Sequence, residues 1–223
     1  MIRALALLAL VWAGAAQGAC RQALVLALDV SGSVDAREYR LQLDGVAAAL
    51  ESVAVQEVLF ATGSAPVRLA VFEWSGPEDQ AMILDWTGIT DPAALARVTA
   101  RLRAHQRQPK APTTALGSAM QTGLRLLAAQ PACWTHTLDI SGDGEANTGP
   151  RPQDVTLTGA PPGTLVNGLV IGAPDGALAR YFTAYVIRGA GAFVEEAAGF
   201  EDYAAAMERK LIRELAALAI GAR

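Results

Sequence analysis

Uncharged apolar runs alternate along this chain with amphipathic stretches, and the alternation predicts an α/β fold. The first run, residues 23–29, carries no charge before Asp29 and is typical of a strand buried on both faces of a parallel sheet. Residues 35–53 follow, with apolar side chains at helical spacing on one face. Further strands are predicted at 67–74, 82–86, 134–143, 165–171 and 192–196. Further helices are predicted at 91–104, 115–129, 175–186 and 201–219.

The order of these elements predicts how the sheet is built. Strands that alternate with helices form a mostly parallel sheet with helices on both faces. The strands at 67–74 and 82–86 are joined by a short turn and form an antiparallel hairpin, which makes one edge strand antiparallel. With right-handed crossovers, we expect the doubly wound order 3-2-1-4-5-6. This order places strands 1 and 4 side by side at the switch point of the sheet, where such folds bind ligands.

Three oxygen-bearing side chains, Asp29, Ser31 and Ser33, follow directly where the first strand ends. Hard oxygen donors of this kind suit Mg²⁺ or a similar cation. An EF-hand calcium loop starting at Asp29 would need Gly at its sixth position and Glu at its twelfth, and the chain has neither. An aspartyl-phosphate enzyme would have a second acid in place of Ser31, and a nucleophile elbow would have Gly two residues to either side of it. A turn that only caps the next helix, through Asp35 or Ser33, remains the alternative.

The spacing Asp29-x-Ser31-x-Ser33 resembles the metal-ion-dependent adhesion site of von Willebrand factor A domains and integrin inserted domains. In those domains a Thr that precedes a helix completes part of the site. Thr114 matches this position by its spacing to the apolar residues of the following helix, and Thr113 is the adjacent alternative.

The same site needs an Asp after a later strand, and Asp143 matches it, although Gly142 stands where those domains have Thr. Taken together, several segments resemble the bacterial family of secreted, von Willebrand A-like proteins known as domain of unknown function 1194. The segments that carry this resemblance are Ser141-Gly-Asp143-Gly, Glu73-Trp-Ser75, Asn167-Gly-Leu169 and Gly189-Ala-Gly-Ala-Phe-Val194.

The resemblance implies a ligand set and a type of partner. Ser31, Ser33 and Thr114 would supply hydroxyl ligands, and Asp29 and Asp143 would supply negative charge to Mg²⁺, or to Mn²⁺ or Ca²⁺. A coordination position left open would accept an Asp or Glu carboxylate from a protein or peptide. The alternative is a metal-assisted hydrolase that uses the same cation. We expect no enzyme, because the chain has two histidines and neither belongs to the motif.

The N-terminus predicts export. Residues 1–18 combine Arg3, an apolar core at 4–12 and the small-residue end Ala16-Gln-Gly18, as in a cleaved signal peptide. We therefore expect a periplasmic or secreted protein with one domain at 19–223 and no transmembrane segment. The net charge of −4 gives no reason to expect nucleic-acid binding. The oligomeric state is left open.

Cys20 and Cys133 precede Asp29 and Asp143 by nearly the same number of residues, so a disulfide between adjacent parallel strands is expected. Two independent buried thiols are the alternative. Asp139 lies inside the fourth strand and is interpreted as structural support that accepts hydrogen bonds from hydroxyls or the backbone. The basic residues before Thr114 are interpreted as a solvated helix face, or alternatively as a positive rim that steers acidic ligands: Arg101, Arg103, Arg107 and Lys110.

Overall fold

The structure is a computed structural model that describes residues 20–63, 65–108, 111–172 and 175–216. Three predictions concern residues outside these ranges: the signal peptide at 1–18, the place of Lys110 among the basic residues before Thr114, and the last part of the C-terminal helix at 217–219. Within the described ranges, no helix combines the length and the apolar character that a membrane span requires.

The predicted sheet is confirmed, with six strands among the described residues in the order 3-2-1-4-5-6. The strands are β1 (Cys20–Asp29), β2 (Val67–Trp74), β3 (Gln80–Ile89), β4 (Cys133–Gly142), β5 (Leu165–Ile171) and β6 (Val194–Ala197). The edge strand β3 is antiparallel to β2, and every other neighbouring pair is parallel. β3 is longer than predicted at both ends, because its pairing with β2 runs from Trp74 opposite Gln80 to Val67 opposite Ile89.

Helices cover both faces of the sheet, as expected for strands that are apolar throughout. They are α1 (Ala36–Glu51), α2 (Val53–Phe60), α3 (Pro92–Ala104), α4 (Leu116–Ala128), α5 (Ala177–Tyr185) and α6 (Tyr203–Ala216). Alternate side chains of β1 divide the core into two layers. One layer holds Leu24, Leu26 and Leu28 together with residues of α1, α2, α3 and α6. The other layer holds Ala23, Val25 and Ala27 together with residues of α4 and α5.

The predicted helix at 35–53 is two helices in the structure. Asp35 caps α1 by accepting hydrogen bonds from the N–H groups of Arg37 and Glu38, and Glu38 completes a capping box. At its other end α1 stops at Ser52, whose extended backbone breaks the helix. The Ser52 hydroxyl then accepts a hydrogen bond from Val55 N at 3.2 Å and begins α2. The apolar pattern missed this break because it continues into α2 through Val55 and Leu59.

The disulfide between Cys20 and Cys133 is confirmed. The two residues are direct partners in the parallel pairing of β1 with β4, and their Cα atoms are 4.4 Å apart. The bond therefore fastens the two strands together where they enter the sheet, at the edge opposite Asp29 and Asp143.

Asp139 has a structural role, but its partner is a charge and not a hydroxyl. Lys210 of α6 places its Nζ 3.1 Å from Asp139 Oδ1 and 2.7 Å from Glu214 Oε1, and all three side chains are buried. Burial raises the pKa of Asp139 to about 7, with Lys210 opposing this shift and Glu214 adding to it. Asn167 Nδ2 also donates to Glu214 Oε1, at 2.7 Å. This cluster ties α6 to the middle of the sheet.

Candidate metal centre

The deepest part of the candidate site is the loop that follows β1. Asp29 is the last residue of the strand, and its side chain is almost fully buried. Its Oδ1 accepts a hydrogen bond of 2.8 Å from the N–H of Ser31. Its Oδ2 is buried and has no hydrogen-bond partner among the described residues. One oxygen of Asp29 thus fixes the loop, and the other lies buried beside Gly142 and the backbone of Asp143.

Ser31, Ser33 and Asp143 form one connected group. The hydroxyls of Ser31 and Ser33 are 3.2 Å apart. The Ser33 hydroxyl donates to Asp143 Oδ1 at 2.7 Å, across the gap between the ends of β1 and β4. Ser31 is buried, whereas Ser33 is exposed and Asp143 is partly exposed. Together with the buried Asp29, these three residues therefore extend from the core outward to solvent.

Burial and a neighbouring acid both disfavour the ionised form of Asp29. Burial raises the pKa of Asp29 to about 7, and the nearby charge of Asp143 raises it further, against the lowering effect of the Ser31 N–H. A buried carboxylate beside a second carboxylate is costly unless a positive charge offsets both. The residues therefore fit a divalent cation, which would stabilise the ionised form of both acids.

Thr114 is hydrogen-bonded to Asn147, which lies four residues after Asp143 in the same loop. Thr114 N donates to Asn147 Oδ1 at 2.9 Å, and Asn147 N donates to the Thr114 carbonyl at 3.0 Å. The Asn147 amide also approaches Thr114 Oγ1, at 3.5 Å. Within the described chain, Thr114 makes no direct hydrogen bond to the other four candidate ligands. The Oγ1 of Thr113, the adjacent candidate, is buried and has no hydrogen-bond partner among the described residues.

Two further contacts hold the Thr114 segment against the ends of β1 and β2. Gly32 N donates to the Pro112 carbonyl at 3.0 Å, and Ala115 N donates to the Ser75 carbonyl at 2.7 Å. A Cβ added at Gly32 would lie 2.7 Å from Pro112 Cβ and 2.9 Å from its oxygen. Only glycine therefore permits this close approach.

Arg107 follows α3 and is partly buried, and it supports the loop after β1. Its guanidinium donates to the carbonyls of Val30, Ser31 and Val34 at 2.6, 3.0 and 2.7 Å. Gln42 of α1 supports the same loop from within the core, donating to the Asp29 carbonyl at 2.9 Å. Neither residue belongs to the motif, so the sequence pattern gave no sign of these roles.

The two other described arginines of the predicted basic face also have specific partners. Arg103 forms a bidentate pair with Glu51 of α1, with both N–O distances 2.6 Å. Arg101 Nε donates to the Ile83 carbonyl of β3 at 3.1 Å. Both arginines thus fasten α3 to its neighbours while remaining exposed, as predicted for a solvated helix face.

The donor set is made of oxygen atoms, and hydroxyls outnumber carboxylates. No group of three or more His, Cys, Asp or Glu side chains that could hold a metal occurs in the described part of the chain. The candidate site has only two acids, and the rest of its chemistry comes from Ser and Thr hydroxyls. Such a set suits a hard cation that retains water, rather than a tightly caged transition metal.

The strand order and the loops at the carboxyl edge define a von Willebrand factor A fold. The chain belongs to the family described as "Protein of unknown function (DUF1194)", whose profile matches residues 19–219. No curated protein matches the chain by sequence.

Solved structures share the fold at low sequence identity. Proximal thread matrix protein 1 from the mussel byssus, in a structure with a zinc-occupied MIDAS motif, has a TM-score of 0.63 and 15% identity over 89% of this chain and 48% of that one. The pilus adhesin SpaC from Lactobacillus rhamnosus GG has a TM-score of 0.59 and 14% identity, over 91% and 31%. A von Willebrand factor type A protein from Catenulispora acidiphila has a TM-score of 0.57 and 15% identity, over 89% and 43%. This chain thus spans less than half the length of each of these structures.

Proposed function

We propose that this protein is an exported binding module that uses a divalent cation to hold an acidic group of a protein or peptide partner. Asp29, Ser31, Ser33, Thr114 and Asp143 would hold the cation, and Mg²⁺ is the ion that suits them best, with Mn²⁺ or Ca²⁺ as substitutes. The observation that carries the proposal is the buried, unpartnered Oδ2 of Asp29 beside a second carboxylate.

The carboxylates and the hydroxyls would have different roles at this site. Asp29 and Asp143 would offset the charge of the ion, and the hydroxyls of Ser31, Ser33 and Thr114 would orient it without adding charge. A bound divalent ion with few anionic ligands supplies an electrophilic position that a carboxylate can occupy. The exposed side of the group, at Ser33 and Asp143, faces solvent, where a partner can approach.

The hydrolase alternative gains no support from the position of the histidines. His105 Nε2 lies 3.4 Å from Glu73 Oε2, which also accepts a 3.0 Å hydrogen bond from Tyr39. His136 pairs its Nε2 with the Gln130 carbonyl at 2.8 Å, near the start of β4. Neither ring is hydrogen-bonded to a candidate ligand, so neither is placed as a base beside the ion.

Export is supported by the disulfide and by the sequence of residues 1–18. A bond between Cys20 and Cys133 is typical of proteins that fold in an oxidising compartment. A protein partner is supported by the fold, which this chain shares with a pilus adhesin and a byssus matrix protein.

The direct test uses N-acetyl-aspartate amide as the probe and Mn²⁺ as the ion. Mn²⁺ bound to the protein should broaden the NMR signals of the probe's methylene protons, because its carboxylate binds at the ion. N-acetyl-asparagine amide is the matched control and should be unaffected. The Thr114→Ala protein should remain folded and broaden the aspartate signals less. Equal broadening of both probes, or none of either, contradicts the proposal.

A further inference from the structure

A cavity of about 250 Å³ lies between the start of α1 and the segment that follows α3. None of the candidate metal ligands lines it. The volume is smaller than that of pockets for drug-sized ligands, so the cavity suits a small molecule. Its lining residues are Ala36, Tyr39, Arg40, His105, Gln106 and Arg107.

Two arginines of the cavity lie against the same aromatic ring. The guanidinium carbons of Arg40 and Arg107 are each 5.7 Å from the centre of the Tyr39 ring, a distance typical of cation–π contacts. The two guanidinium groups are therefore within twice that distance of each other. Arg40 Nη1 is held in place because it donates to the His105 carbonyl at 2.8 Å. Arg107 is held by the carbonyls of the loop after β1.

Both guanidinium groups retain donors for a ligand. A guanidinium group has five N–H donors in a planar fork. Arg107 makes three hydrogen bonds to the carbonyls of the loop after β1. Arg40 makes two, to the His105 carbonyl and to Asp44 Oδ1 at 3.1 Å. Among the described contacts, each arginine thus keeps N–H groups that can donate to a carboxylate, whose planar shape matches the fork.

The charges around the cavity favour a singly charged ligand. Glu73 is fully buried, accepts a 3.0 Å hydrogen bond from the Tyr39 hydroxyl and lies 3.4 Å from His105 Nε2. Asp44 is exposed and pairs with Arg40, so solvent screens its charge. The buried carboxylate behind the Tyr39 ring repels a dianion such as phosphate more strongly than it repels one carboxylate group.

The rest of the lining favours a ligand that also has an apolar part. Ala36, the Tyr39 ring and the methylene stems of the two arginines offer apolar surface beside the charged groups. A flat ring can also stack on a guanidinium plane. A free phosphate ion would leave this surface without a partner.

We propose that the cavity binds a small organic monocarboxylate. Its carboxylate accepts hydrogen bonds from Arg40 and Arg107, and its apolar part lies against Ala36 and Tyr39. This site is a second ligand site, separate from the cation site, and it does not depend on a bound cation.

The test titrates benzoate into the full chain in EDTA, so that no cation contributes, and follows the backbone amide NMR signals of Gln106 and Arg107. Benzamide, which has the same shape without the charge, is the matched control probe. Benzoate should shift these signals saturably with a Kd of roughly 0.1–5 mM. Benzamide should bind at least about tenfold more weakly. Inorganic phosphate should also bind more weakly than benzoate.

Three variants locate the binding. Arg40→Gln should weaken benzoate binding roughly fivefold or more, because it removes one of the two guanidinium groups. Arg37→Gln is the control and should bind as the wild type does, because this arginine of the same helix pairs with Glu201 and does not line the cavity. Ala36→Leu, at an exposed position, should also weaken binding because the larger side chain narrows the cavity without changing its charge.

The inference is overturned if about 20 mM benzoate causes no saturable shift, or if benzamide binds as tightly as benzoate. Unchanged benzoate affinity in both Arg40→Gln and Ala36→Leu would place the binding elsewhere and would also overturn it. Phosphate that binds more tightly than benzoate would contradict the assignment to a carboxylate.

Discussion

Asn147 is not among the candidate ligands, yet it joins the two loops that carry Thr114 and Asp143. It contacts Thr114 at three points, through its own N–H and through both ends of its side-chain amide. Groups that orient a ligand in this way contribute substantially to metal affinity. The site therefore includes residues beyond the five of its motif.

Asn147→Ala should weaken Mn²⁺ binding roughly 10- to 100-fold, because the Thr114 hydroxyl loses the group that orients it. The affinity is measured from the free Mn²⁺ signal in electron paramagnetic resonance titrations. Gln121→Ala, which removes an exposed amide from α4, is the control. An Asn147→Ala protein that binds Mn²⁺ like the wild type would show that Thr114 is positioned without Asn147.

Gly32→Ala tests the packing of the Thr114 segment against the loop after β1. The added methyl group would overlap Pro112, so the two segments must separate, and we expect a loss of roughly 1–3 kcal/mol in stability together with weaker Mn²⁺ binding. Gly63→Ala is the matched control, because a Cβ there meets nothing within 4 Å. Urea unfolding of both variants measures the difference, and equal stability of the two would contradict the close packing.

At the scale of elements, α6 is fastened to β4 by buried charges as well as by apolar packing. Lys210 lies between Asp139 and Glu214, and the Tyr203 hydroxyl is 2.9 Å from the hydroxyl of Ser141, further along β4. One lysine cannot offset two ionised acids in a buried site. Burial raises the pKa of Asp139 and the charge of Glu214 raises it further, so the attachment of α6 depends on pH.

The pH dependence has a definite sign. Asp139 has a pKa of about 7 in the folded protein, against an ordinary value near 3.8. At pH values between these two, the folded protein therefore binds a proton that the unfolded chain does not. The stability of the wild type should therefore fall relative to Asp139→Asn as the pH rises from about 4 to about 7, by up to about 1.4 kcal/mol per pH unit. Urea unfolding in EDTA at several pH values measures this difference. A difference that stays constant with pH would show that Asp139 is ionised throughout.

At the scale of the whole molecule, the sequence predicted those features that depend on local pattern. The apolar run before Asp29 located β1, and the alternation of elements gave the strand order that brings Asp29 and Asp143 to one edge. The contacts of Asn147, Arg107 and Lys210 could not be predicted, because each depends on the path of a loop or helix relative to residues far away in sequence. The support that Arg107 gives to the loop after β1 was not predicted for this reason.

The Cys20–Cys133 bond constrains the whole chain, since it closes a loop between residues 113 positions apart. Replacing both cysteines by Ala should lower stability by roughly 3–5 kcal/mol in the chain-entropy account. Chemical unfolding of the oxidised wild type and of the double variant measures this difference in the free energy of unfolding. Coincident unfolding curves would mean that the bond adds nothing to the stability of the sheet.

We propose that the five motif residues hold one divalent cation. A Mn²⁺ titration of residues 19–223 followed by electron paramagnetic resonance tests this proposal, because it reports free Mn²⁺ without reference to any partner. We expect one ion per chain in the wild type, displaced by Mg²⁺, with no binding in Asp29→Ala and severely weakened binding in Asp143→Ala. A wild type that leaves all Mn²⁺ free, or an Asp29→Ala protein that binds as the wild type does, would contradict the account.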